Sequence, residues 1–513
     1  MNYLTITITA TAGVSLLYFL GYCIYNLYFH PLKSFTGPKL WVACRVPMTY
    51  YKLKGDLPYK LKELHDKYGD VVRIAPNYLD YSSSAAWEDI YGFPKDHHKQ
   101  NFPKDMSEVG MLAQGTQNII SASDEDHRRF RRLQSHAFSE KALAAQEELI
   151  QDYARTFISG LIKFSSLASD HSINLGQWYN CATFDLLGDL AFGEPFGSME
   201  TGDLHPWTKL LFSIFEADTY LTEALKYPII GNIACFLFPA LMQAKIQKHW
   251  KLSQEKAYRR IDTPRDKPDF VSYILKYNDT EKGMSREEIG ANASILILAG
   301  SETTASILNG VTYHLLQCPT ILQNLTLELR STFKNQEELT LLALARCKYL
   351  NAVLDEGLRI FPPVPSTLTR FVPEGGSIIS GQYVPEGATV GVNQWSANFS
   401  SSNFHVPYEF HPERWLSTED VQGLKERYPD MQLGDPSLFK NDDRKARQPF
   451  SVGPRNCIGK NLAYAEMRVL LANVVWGFNL EGGKGSRSWL ERNKVFGLWM
   501  KPELCVRLER VNV

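Results

Sequence analysis

Residues 4–29 are 26 consecutive positions without a charged side chain, and this run constrains how everything after it is arranged. As a helix it extends about 39 Å against a bilayer hydrocarbon core of about 30 Å, long enough to cross with some tilt. No basic segment precedes it and no small-x-small cleavage site follows, so a removable leader does not fit. Lys33, Lys39, Arg45, Lys52 and Lys54 come next, ahead of the first acidic residue at Asp56. The positive-inside rule then leaves the large C-terminal part cytoplasmic. The expected organisation is a lumenal tail at 1–3, a transmembrane anchor helix at 4–29, a basic linker at 30–57 containing Pro31, Gly37, Pro38, Pro47 and Gly55, and one folded body at 58–513.

Composition sets the class of that body. Of the 513 residues 44% are hydrophobic and 12% aromatic, which excludes a disordered or collagen-like chain. The 55 basic and 56 acidic residues leave a net charge of −1, so no nucleic acid is expected as a partner. Eight cysteines, at 23, 44, 181, 235, 318, 347, 457 and 505, form no CxxC pair and no close cluster. That argues against a zinc ribbon or disulfide framework, and for a sulfur working alone in a reducing compartment.

Hydrophobic spacing at Leu61, Leu64 and Tyr68 predicts a helix, and the β-rich runs at 71–75 and 78–82 flank Pro76-Asn77 as a hairpin. Helical patterns dominate to about residue 360, a second β-rich segment covers 367–392, and a third lies in the last forty residues. The expected fold class is mainly α with small segregated β-sheets. Residues 284–317 read as one helix of roughly 50 Å, opened by a capping box of Ser285 with Glu288 and closed by Cys318-Pro319.

Chemistry concentrates in Phe450-Ser451-Val452-Gly453-Pro454-Arg455-Asn456-Cys457-Ile458-Gly459, followed by a helix-forming run. Cys457 sits at the helix entrance, where unpaired N–H groups and the positive dipole end are expected to depress its pKa and favour a thiolate. A thiolate serves as an axial ligand to haem iron and pushes electron density onto it. Gly453 and Gly459 would let the backbone approach a flat macrocycle, and Arg455 would face a propionate. A phosphate loop does not fit, because five residues separate Gly453 from Gly459 and Asn461 follows the lysine. On the long helix, Gly300 and Thr303 share a face beside the carboxylate of Glu302. Glu356 and Arg359 place opposite charges at i and i+3 near a helix end stopped by Pro362-Pro363. His127-Arg128-Arg129-Phe130-Arg131-Arg132 places His127 and Arg131 on one helical face, with Arg128, Arg129 and Arg132 fanning toward solvent.

The positions Phe450, Gly453, Arg455, Cys457 and Gly459 match the signature FxxGxRxCxG, and on them the chain resembles the cytochrome P450 superfamily. Ala299-Gly300-Ser301-Glu302-Thr303-Thr304 is similar to the family's oxygen-activating motif, and the resemblance extends in family order over essentially the whole chain. It implies the cytochrome P450 fold behind one N-terminal transmembrane helix, with 58–513 as the haem-thiolate catalytic domain. Haem b would lie between the Gly300 helix and the Cys457 loop, with Cys457 as axial iron ligand. His127, Arg131, Gly300, Arg370, Phe450, Gly453, Arg455 and Gly459 would complete the cofactor site; the family commonly has tryptophan where this chain has His127. Glu302 and Thr303 would manage proton delivery. Glu356, Arg359 and the Arg414 of Pro412-Glu413-Arg414-Trp415 would form a structural lock rather than act catalytically.

Segments such as Ser135-His136-Ala137-Phe138-Ser139 look like fungal microsomal members of secondary metabolism. The activity implied is O2-dependent hydroxylation, or other oxidation, of a lipophilic polyketide, terpenoid or alkaloid intermediate at the endoplasmic reticulum membrane. Electrons from NADPH would arrive through NADPH-cytochrome P450 reductase, with cytochrome b5 as a further donor. Residues 106–112, 212–242, 293–296, 364–367 and 496–498 would line the substrate cavity. Two alternatives are a haem-thiolate enzyme of oxidative coupling, desaturation or ring rearrangement without oxygen insertion, and a membrane-tethered haem sensor or carrier. The outward arginines 128, 129 and 132 would suit an acidic electron-donor surface.

Overall fold

The uncharged N-terminal run forms one α-helix, Tyr3–Tyr28, in the computed structural model, which describes residues 3–94, 101–110, 115–227, 231, 239–263, 269–278 and 282–511. From Thr9 to Tyr28 its apolar side chains are almost all exposed, as a membrane span requires. The rest of the chain sorts into two compact units. Unit 1 holds Met1–Asp105, Pro365–Asn403 and Asp443–Arg455; unit 2 holds Met106–Val364, Phe404–Asp442 and Asn456–Val513.

Unit 1 grips the base of the anchor. Arg73, buried, donates from Nη1 to the Asn26 carbonyl at 3.0 Å, where a cation suits the negative end of the helix dipole, and Asn26 Nδ2 donates to the Ala43 carbonyl at 3.0 Å. Residues 30–57 are more ordered than a linker: they contain the helices Lys39–Ala43 and Val46–Leu53. Trp41 and Met48 from these helices join Leu61, Val72, Ile74 and Tyr78 in a hydrophobic core. The prolines that suggested a connection stand at helix starts, Pro38 as N-cap and Pro47 in a first turn, where a fixed φ and a missing N–H cost nothing. The expected hairpin is present as Val71–Ala75 against Tyr78–Tyr81, extended by Thr389–Val392 (parallel) and Arg370–Phe371 (antiparallel).

Unit 2 is mainly helical, with two small sheets: Cys505–Arg510 between Ser172–Asn174 and Phe478–Gly482, and the hairpin Lys494–Phe496 with Leu498–Met500. Its spine is the helix Arg286–Gln317, opened by the Ser285–Glu288 capping box and ended at Cys318, as the sequence predicts. This spine packs on the almost wholly buried helix Leu175–Phe192 and on Lys460–Gly477.

A four-charge cluster sits in the unit 2 interior. Glu356 accepts from Arg359 Nε at 2.9 Å and Nη2 at 2.7 Å, from the His411 N–H at 3.0 Å and from Trp415 Nε1 at 2.9 Å, and pairs with Arg414 Nε at 3.4 Å. Arg414 also pairs with Asp442 and lies over the Phe439 ring at 4.4 Å. Burial alone would raise the Glu356 pKa, but the Arg359 charge and hydrogen bonds, together with Arg414, outweigh it and hold the carboxyl below its ordinary value. Removing one member leaves a buried charge uncompensated. Arg414→Leu is expected to cost about 3–5 kcal/mol of stability, read as a loss of thermally stable holoprotein. A melting curve unchanged from wild type would contradict this assignment.

Candidate functional site

The signature loop is divided between the units, which part at Arg455–Asn456. Its first half belongs to unit 1. Ser451 and Gly453 adopt φ of 56° and 71°, the left-handed region, which turns the chain sharply. A Cβ on Gly453 would come within 2.0 Å of the Tyr91 carbonyl oxygen, so packing against the helix Ala85–Tyr91 by itself requires a glycine here. Trp87 of the same helix donates to the Ala446 carbonyl at 3.0 Å and ties down the strand of chain leading in. Unit 1 also carries Phe450, Arg455 and Arg370; Arg370 is buried, with its guanidinium 5.6 Å from the Tyr91 ring centre.

Unit 2 carries the sulfur. Cys457 lies just ahead of the helix Lys460–Gly477, and it is the exposed cysteine among the described residues. Arg131 donates from Nη1 to the Asn456 carbonyl at 2.6 Å and from Nη2 to the Asn456 side chain, so the Asp124–Gln134 helix is fastened beside the thiol. His127, one turn earlier, is buried. The surrounding protein pushes the Cys457 pKa up, while the Gly459 N–H, Arg131 and Lys460 pull it down; the net shift is upward. The helix entrance therefore does not by itself supply a thiolate, contrary to the sequence expectation. A bound iron would, because a coordinated thiol is deprotonated outright.

The spine helix is buried on nearly every side and opens at one turn. Ala299 is exposed, and Gly300 and Thr303 are partly exposed. Thr303 Oγ1 donates back to the Ala299 carbonyl at 2.6 Å. A Cβ on Gly300 would meet Leu187 at 2.8 Å, so the missing side chain also serves contact with the Leu175–Phe192 helix. Glu302 turns the other way, buried against Lys501 and Ser306. The unit 2 residues fit the haem that the signature implies: a reachable sulfur, a low-relief helix turn and, in Arg131, a guanidinium for a carboxylate.

Two expectations change further. Arg129 does not point freely to solvent: it pairs with Asp126 at 2.7 Å and Glu288 at 2.6 Å, and Arg132 donates to the Lys282 carbonyl at 2.9 Å. Of the cavity segments, residues 111, 112, 228–230 and 232–238 lie outside the described residues. Lys501 and Glu466 were missed by sequence reasoning, since neither belongs to a motif and each meets its partner across a long stretch of chain. Glu466, on the Lys460–Gly477 helix, is buried; the Thr304 hydroxyl bonds its carboxyl, while Oε1 has no hydrogen-bond partner among the described residues. Burial raises its pKa to about 8, so the neutral acid is the form the interior accepts.

The family model for Cytochrome P450 matches residues 37–506. A cytochrome P450 monooxygenase of Talaromyces wortmannii, astA, is 40% identical, over 98% of this chain and 97% of its own length. An averantin hydroxylase of Dothistroma septosporum is 38% identical over 99% and 92%. A trichothecene C-15 hydroxylase of Fusarium sporotrichioides is 38% identical over 97% and 97%.

Glu466 makes stability depend on pH. Its folded pKa of about 8 exceeds the ordinary 4.5, so its contribution is whole below pH 4.5 and is lost as pH rises through about 8. The expected slope in that window reaches about 1.4 kcal/mol per pH unit. Glu466→Gln keeps the shape without the charge. Its melting temperature should exceed that of the unaltered protein above about pH 8, with the difference vanishing toward acid; parallel pH curves would contradict the assignment.

Proposed function

The chain belongs to the cytochrome P450 family, and from that premise we propose that it is a membrane-anchored monooxygenase that oxidises a lipophilic intermediate of fungal secondary metabolism. The observation that carries this reading is the pairing, within unit 2, of an accessible Cys457 sulfur with a helix turn opened at Ala299, Gly300 and Thr303. Haem b, when bound through Cys457, supplies the activation of O2 with electrons delivered from NADPH. The residues of the chain do the rest. Arg131 holds the Asn456 backbone and thereby the position of the sulfur. Arg131, Arg370 and Arg455, with His127, offer donors for the propionates. Thr303 presents its hydroxyl on the open turn, and Glu302 adjoins it as the acid through which protons enter.

The relatives named as an averantin hydroxylase and a trichothecene C-15 hydroxylase support a lipophilic secondary-metabolite intermediate as substrate. Electrons are proposed to come from NADPH-cytochrome P450 reductase on the same membrane, with cytochrome b5 as a further donor. The exposed helix Tyr3–Tyr28 and the basic residues from Lys33 to Lys54 support a single-pass anchor in the endoplasmic reticulum with the body cytoplasmic.

Reduced holoprotein treated with carbon monoxide should show the red-shifted thiolate band, and Cys457→Ala should abolish it; a variant retaining the band would refute the ligand assignment. With reductase and NADPH in microsomes, extracts of the source organism should then yield substrate-dependent O2 consumption and an oxygenated product.

A further inference from the structure

Lys501 follows directly on the strand Leu498–Met500, 199 positions from Glu302, and the two form an ion pair with each side chain only 6% exposed. The ammonium also donates to Ser306 Oγ at 2.9 Å, and Ser306 donates to Glu302 Oε1 at 3.1 Å. The pair is therefore a closed three-residue network joining the spine helix to the C-terminal hairpin. Among the described residues lining the crevice beside Glu302, the others carry no charge: Asn180 and Phe184 face it from the Leu175–Phe192 helix, Phe212 and Phe215 from Pro206–Leu225. The Phe212 ring centre lies 5.8 Å from the ammonium. The crevice beside Glu302 is about 10 Å³, far too small for a substrate.

Successive helix residues project about 100° apart, so Glu302 and Thr303 look to different sides of the spine. Thr303 lies on the open turn, whereas Glu302 is drawn to the closed side by a cation contributed from a different part of the chain. Isolated burial of an ammonium is costly, and an apolar hairpin gains nothing from one unless it has a partner to hold. We propose that Lys501 is the positioning residue for Glu302: it pins the carboxylate on the closed side of the spine helix, and Glu302 serves the open turn at Thr303 only when this ion pair parts. The proposal deepens the function above and rests on its assignment of proton entry to Glu302. Burial raises the Glu302 pKa and Lys501 lowers it, so loss of the ammonium moves the acid further toward its neutral form.

The test uses full-length holoenzyme and the variants Lys501→Met, Lys501→Arg, Glu302→Gln and the double Lys501→Met/Glu302→Gln. The double variant leaves no uncompensated charge and should melt above Lys501→Met, which keeps the comparison informative if the single variant is unstable. Infrared difference spectra of the resting enzyme should show a protonated-carboxyl band in Lys501→Met that is absent from Lys501→Arg and from the double variant; Glu466 cancels in these differences. The pH profile for coupling NADPH oxidation to product should shift to alkaline pH by about one unit or more in Lys501→Met and be restored in Lys501→Arg. A Lys501→Met spectrum indistinguishable from wild type, or an unmoved pH profile, overturns the proposal. Wild-type coupling in Glu302→Gln, with the band still present in Lys501→Met, overturns instead the assignment of proton entry to Glu302.

Discussion

Two carboxylates and two guanidiniums share the dry interior of unit 2, and the path of residues 404–411 depends on them. That segment has no regular ladder, so its carbonyls need donors from elsewhere. Arg359 supplies them, reaching the Pro407 carbonyl at 2.6 Å and that of Glu409 at 2.9 Å while still chelating Glu356. Arg414 does the same for the His405 carbonyl at 2.9 Å. A guanidinium has five donors in a fixed plane, enough to serve a carboxylate and two carbonyls at once; a lysine at either position would leave acceptors unserved. The cluster is thus a joint whose members cannot change singly, and it holds Pro412–Trp415 against the helix Lys348–Ile360.

The same economy governs the spine helix. It must be buried to be rigid and open to be useful, and between its exposed ends it achieves both by confining exposure to one turn. Behind that turn the contact with Leu175–Phe192 is close: Leu187 occupies the place of a Gly300 side chain, and Thr183 Oγ1 donates to the Ser301 carbonyl at 3.0 Å. A site on a helix held this way inherits the precision of the core, which a site on a loop does not. Gly300 therefore contributes to the site indirectly, by bringing two helices together.

Most of the architecture was legible because its signals are local. The Ser285–Glu288 capping box, the Pro76-Asn77 turn and the i,i+3 pair of Glu356 with Arg359 each lie within a few residues, and each forms as the spacing predicts. Signals that depend on what arrives from elsewhere were misread. Prolines at 38 and 47 have the same composition in a linker as at a helix start, and only the burial of Trp41 and Met48 decides between them. Glycines announce a close approach but not its partner, which is a carbonyl for Gly453 and a leucine for Gly300. Lys501 meets Glu302 across 199 positions, a pairing with no periodic trace.

Around the open turn the interior makes two acids unlike each other. Glu302 and Glu466 are both buried, and burial pushes the pKa of each upward. Glu302 meets a buried ammonium and a serine hydroxyl; Glu466 meets the Thr304 hydroxyl and no cation among the described residues that shifts its pKa. At Glu302 burial still outweighs the ammonium, so its pKa stays above the ordinary value, while Glu466, without that counterweight, is pushed up to about 8. Paired titratable groups with environments that part their pKa values are how a single fold assigns different proton roles. The spine helix places residues 302 and 304 two positions apart, so both environments bear on the turn that carries Thr303. That difference arises from the C-terminal hairpin, which contributes Lys501 to one side of the helix and nothing equivalent to the other.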